Sequence, residues 1–178
     1  MTRFLRRLAG KFRAEEKGTV GTEFVIAIPI LLTIFMASFE SGMVMVRAIL
    51  LEHAVDMTMR DLRLGHLPGA DSDMLKEAIC ERTIVFADCQ ENIMIEMRRV
   101  STSTWSMPST PITCVDREEN VQPVLTLQIG QQNDVMMVRV CIMQNLMFPT
   151  TGLGLAMTPD PQGGVGLITE SAFVTEPI

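Results

Sequence analysis

Residues 20–39 form a nearly continuous apolar run, broken only by Glu23 and a few small polar side chains. As a helix, this twenty-residue run would span ~30 Å, the thickness of a bilayer's hydrocarbon core. In this frame Glu23 lies near one boundary and Glu40 at the other. A frame over residues 24–46 would bury Glu40 and end at Arg47. The first frame is adopted because it leaves both acids nearer water, where an intramembrane carboxylate costs less. Pro29 removes one backbone hydrogen bond and reads equally as a tolerated membrane proline or a hinge. A cleaved secretory signal would have a shorter apolar region and a small-residue cleavage site. Phe39-Glu40-Ser41-Gly42-Met43 makes a poor one, so an uncleaved anchor is expected.

Beyond the run, the period shifts to that of an amphipathic helix. Val46, Ile49, Leu50, His53, Val55, Met57 and Leu62 form a stripe beside Arg47, Glu52, Asp56, Arg60 and Asp61. Leu64-Gly65-His66-Leu67-Pro68-Gly69 supplies the stop signal. Asp71 or Ser72 can cap a second helix over residues 73–87, with Met74, Leu75, Ala78, Ile79 and Val85 inward. Residues 92–100 alternate as a strand with Ile93, Ile95 and Met97 on one face. Residues 101–111 read as a loop around Trp105. Residues 123–129 and 135–143 read as a hairpin turning at 130–134, and 165–174 as a last strand after a Gly/Pro-rich connection over 149–164. The expected class is α+β: one long helix, one short helix and about four antiparallel strands.

Charge adds an orientation. Residues 1–18 hold six basic side chains against two acidic ones, whereas residues 19–178 hold nine against nineteen. A basic flank before an apolar helix places the N-terminus in the cytoplasm. The acidic body argues against nucleic acid. Cys80, Cys89, Cys114 and Cys141 all follow the apolar run. On an oxidising side of the membrane, four cysteines are compatible with two disulfides, and spacing alone does not choose among the three pairings.

Chemistry-bearing patterns are sparse. His53 and His66 belong to no metal-like constellation, and no catalytic triad or dyad is legible in the spacing. The fifteen methionines are scattered over several elements and suit cores and adaptable contacts. Gly152-Leu153-Gly154 and Gly163-Gly164-Val165-Gly166 lack the strand-to-helix context of a phosphate loop. No enzymatic activity, cofactor, metal or small-molecule substrate is expected.

Lys17-Gly18-Thr19-Val20-Gly21-Thr22-Glu23-Phe24 resembles the processing site of type IV pilin-like precursors. In particular, the chain resembles the TadE-like minor pilins (pseudopilins) of the tight-adherence, or Flp, pilus system. The major pilin of that system has Glu-Tyr where this chain has Glu23-Phe24. Glu40-Ser41-Gly42 and the stretch from Glu170 to Pro177 are similar to the family's helix and closing strand. The resemblance implies cleavage between Gly18 and Thr19 by a membrane prepilin peptidase. It implies subunit assembly through Glu23 and Phe24, the carboxylate meeting a neighbour's new N-terminal amine. It also implies the pairs Cys80–Cys89 and Cys114–Cys141. Residues 1–18 would be a cytoplasmic leader, 19–64 a transmembrane and extended helix, and 65–178 a periplasmic domain. The implied function is a minor pilin-like structural protein of the inner membrane, or of the pilus itself, whose partners are the peptidase, other pilin-like subunits and the assembly platform. The alternative is a single-pass periplasmic binding or sensor module with an uncleaved anchor.

Overall fold

The computed structural model describes residues 19–119, 121–123, 125–150, 152–157 and 159–176. One helix, α1 (Thr19–Arg63), accounts for 45 residues and continues through Pro29 and through Glu40-Ser41-Gly42. At 1.5 Å per residue it is ~68 Å long. Arg60 and Arg63 occupy its last turn, where cations complement the helix dipole. Gly65 (φ 71°) then ends it: its N–H reaches Leu62 O, and the His66 N–H reaches Asp61 O. The positive φ is open to glycine without a Cβ clash.

The upper half of α1 packs on a small head. Its inward face is Leu51, Ala54, Val55, Thr58 and Met59, all buried and spaced by three or four residues, one helical face. The stripe expected from the sequence is only partly this one. Val55 and Leu62 belong to the core or pack against it, but Val46 and Ile49 are 50% and 64% exposed. The reason is physical: α1 is apolar around much of its circumference here, so the pattern alone carries little phase. The sheet chooses the face.

Helix α2 (Ser72–Glu81) starts where Asp71 accepts the Met74 N–H at 2.8 Å. Leu75 and Ile79 are fully buried. It stops at Glu81 and does not run to residue 87. Ile84 is on the surface at 94% exposure, and Asp88 (φ 48°) turns the chain back so that Cys89 bridges Cys80. A short helix, α3 (Cys89–Asn92), leads into the sheet.

The sheet has three strands, not four: β1 (Ile93–Val100), β2 (Val135–Asn145) and β3 (Gly164–Val174), in the order β1-β2-β3. Both pairings are antiparallel, from Ile93↔Ile142 to Val100↔Val135 and from Val135↔Val174 to Asn145↔Gly164. The expected hairpin between 123–129 and 135–143 does not form, because both edges of β2 are taken by β1 and β3. Instead residues 126–128 lie along the free edge of β1. There Met97 donates to Thr126 O and accepts from the Gln128 N–H, each at 2.9 Å. The connection between β2 and β3 contains a one-turn helix, α4 (Leu153–Ala156).

Met136, Val138, Val140 and Ile142 of the central strand are fully buried on one face, against the helices. On the other face Arg139 pairs with its cross-strand neighbour Glu96, both nearly inaccessible. Arg98 also reaches Glu96 at 2.5 Å, and Arg139 donates to Thr110 O at 2.5 Å. A buried ion pair of this kind is stable only with its remaining donors and acceptors satisfied. Ile112 and Val115 are buried, and the Cys114–Cys141 bridge fastens their segment to β2.

Candidate membrane and assembly interface

The lower half of α1 projects free of the head. Phe24, Val25, Ile26, Ile30, Leu31, Ile34 and Phe35 are all exposed. Three hydroxyls are satisfied within the helix: Thr33 donates to Ile30 O, Ser38 to Ile34 O and Ser41 to Ala37 O, each at 2.8 Å. That closure is what a medium without hydrogen-bonding partners requires. The helix is long and apolar enough to cross a membrane.

The head meets the middle of α1 at Ala37. At Gly152 (φ 46°) an added Cβ would lie 2.4 Å from that of Ala37, so only a glycine permits the approach. Phe39 meets Phe148 edge to face, with ring centroids 6.4 Å apart. Between these contacts, Glu40 is completely buried. Its Oε2 accepts the N–H of Met147 at 3.0 Å and of Phe148 at 2.9 Å. Glu40 is therefore not the solvated boundary group that the sequence led us to expect. Its partners lie 107 and 108 residues further along the chain, out of reach of any local pattern. Two turns higher, Arg47 Nη1 donates to Gln144 Oε1 at 3.0 Å and to Asn145 O at 3.3 Å. Together Glu40 and Arg47 tie the helix to the end of β2 and the loop after it.

An exposed apolar face of α1 carries Phe35, Phe39, Val46 and Ile49, with Phe39 also touching Phe148 of the head. Gly42 on that face has no atom within 4 Å of an added Cβ. This apolar stripe continues above the level of Glu40, where a lone helix would be expected to turn polar.

A polar cleft of about 570 Å³ opens beside Arg47, lined by Asp88, Glu91, Asp116, Arg117 and Gln144 among others. Arg117 grips Asp160 with Nε to Oδ2 and Nη2 to Oδ1, both 2.7 Å. Burial pushes the Asp160 carboxyl up. The Gly164 N–H, the Arg117 guanidinium and the Gln162 N–H outweigh that and hold it below the usual carboxylate range. An added Cβ at Gly164 would fall 1.9 Å from Arg117 Nη2, so any larger residue there would displace the guanidinium from this pairing.

Of the residues singled out in the sequence, Gly18 and the rest of the leader lie outside the described residues, as does Pro177. Thr19 opens α1. Glu23 and Phe24 lie on the exposed surface of its first turns. The fold brings Cys80 to Cys89 and Cys114 to Cys141, leaving no free cysteine. Among the described residues no group of three or more His, Cys, Asp or Glu could hold a metal ion.

The fold and this interface define a class: a long apolar helical rod carrying a small disulfide-bonded α+β head. Residues 18–60, most of the rod, match the model of the TadE-like protein family. No curated protein and no solved structure matches it.

Proposed function

We propose that this is a minor pilin-like structural protein of a tight-adherence pilus. It is anchored in the inner membrane by α1, with the N-terminus cytoplasmic and the head periplasmic. A prepilin peptidase removes residues 1–18, and the mature chain assembles with other pilin-like subunits through its helix. It catalyses nothing itself. The observation that carries this reading is the coincidence of the TadE-like match, residues 18–60, with an exposed apolar rod that bears Glu23 near its start. In a bundle of such rods, a lone carboxylate in apolar surroundings needs a countercharge. The amine freed at Thr19 of a neighbour supplies one. The exposed stripe through Val46 and Ile49 extends the helix-to-helix contact above the membrane.

Two variants test it in cells that have the pilus machinery. Gly18→Phe puts a bulky side chain where a peptidase must approach the backbone, and should leave the full-length chain in the membrane. Glu23→Ala should insert and be trimmed, yet fail to support piliation or to co-purify with its partners. Normal trimming of the first and normal piliation from the second would sink the mechanism.

A further inference from the structure

We propose that the loop after β2, residues 146–150 together with Gly152, rests in the outer interface of the bilayer as a second lipid contact, seating the head on the membrane. This rests on the reading of α1 as an anchor, and goes beyond it by giving the head its own membrane-binding element.

Length is the first argument. Gly152 of the head meets α1 at Ala37, and in a chain trimmed to begin at Thr19, as proposed above, residues 19–36 lie below that contact. That stretch is ~27 Å as a helix, short of a ~30 Å hydrocarbon core. For the rod to cross the core, the level of Ala37, and hence of the loop touching it, must reach the boundary. Tilting the helix shortens its span along the normal and draws the loop deeper.

Composition is the second. Residues 140–159 contain no charged side chain, in a head that is otherwise acidic. Met147 is 52% exposed beside Phe39 at 44%, and the Phe39–Phe148 ring contact joins loop and rod into one apolar surface.

The third argument is the backbone. Irregular chain that dips toward the acyl region has N–H groups that hydrocarbon cannot satisfy, each costly if left alone. Here the Met147 and Phe148 N–H groups go to the buried Glu40 carboxylate, which lies about 4.5 Å above Ala37 along the helix. The loop thus carries its acceptor with it. Interfacial elements of this kind settle ~5–10 Å into the headgroup and acyl boundary.

The test uses the full chain in vesicles of phosphatidylcholine brominated either near the headgroup end or near the methyl end of the acyl chain. The native Trp105, in the loop after β1 at the opposite end of the sheet, reports the solvent side. In a Trp105→Phe background, single tryptophans are placed by Met147→Trp and by Leu31→Trp, both at exposed positions. We expect no quenching of Trp105. Leu31→Trp should be quenched most by deep bromines, and Met147→Trp by shallow bromines with a blue-shifted emission. If Leu31→Trp is quenched while Met147→Trp behaves like Trp105, the seat is refuted and the anchor stands. If Leu31→Trp is not quenched either, the anchor fails and the seat with it.

Discussion

At Glu40 a side chain that ordinarily seeks water is fully enclosed and accepts two backbone N–H groups instead. Removing the acceptor strands both donors, at ~1–3 kcal/mol each. Glu40→Ala should therefore lower the head's stability by about 2–4 kcal/mol and open the 146–157 segment to protease. Glu40→Gln, which keeps one acceptor oxygen, should lose less. Unfolding in detergent by denaturant, with limited proteolysis alongside, checks both, and a wild-type stability for Glu40→Ala would refute the latch. Asp160 gives a pH signature. Its folded pKa is depressed, so its contribution is complete above the unfolded value near 3.9 and disappears as pH falls through the folded one. The stability gap between wild type and Asp160→Asn should be constant near neutrality and close on acidification below about pH 4. A gap that persists unchanged into strong acid would show that the Arg117 pairing contributes nothing through charge.

Among the elements, the central strand β2 carries the most. It is paired on both edges, packed on one face by the helices and tied on the other by Cys114–Cys141. That disulfide closes a long irregular segment onto the sheet, so breaking it releases much chain entropy in the unfolded state. The paired replacement of Cys114 and Cys141 by serine should cost about 2–5 kcal/mol by guanidinium unfolding. Replacement of Cys80 and Cys89, whose loop spans 9 residues against 27, should cost less on chain-entropy grounds. The reverse order would mean that the entropy of the segment between β1 and β2 is not what the bridge restrains.

For the whole molecule, the proposed topology puts the basic leader and the acidic body on opposite sides of the membrane. A reporter active only in the periplasm, fused after Ile178, should be active, and one active only in the cytoplasm silent. The reverse result would overturn both the orientation and the oxidising setting in which the two disulfides are expected to persist.

The sequence by itself determined the features that are local. Leu31 and its neighbours are apolar over a membrane's thickness, whatever the rest of the chain does. Asp71 caps the Met74 N–H within one turn, and strands β1, β2 and β3 alternate or stay apolar over short windows. It misjudged what depends on distant partners. The stretch around Leu127 has a strand's composition but lies where both edges of β2 are already filled, so it contributes a single bridge to Met97. Val46 and Ile49 are as apolar as Leu51, and only the position of the sheet decides which of them is buried. The role of Glu40 was set by Met147 and Phe148, more than a hundred residues away. A hydrogen-bond acceptor's partner is chosen by three-dimensional packing, which the order of residues near Glu40 does not encode.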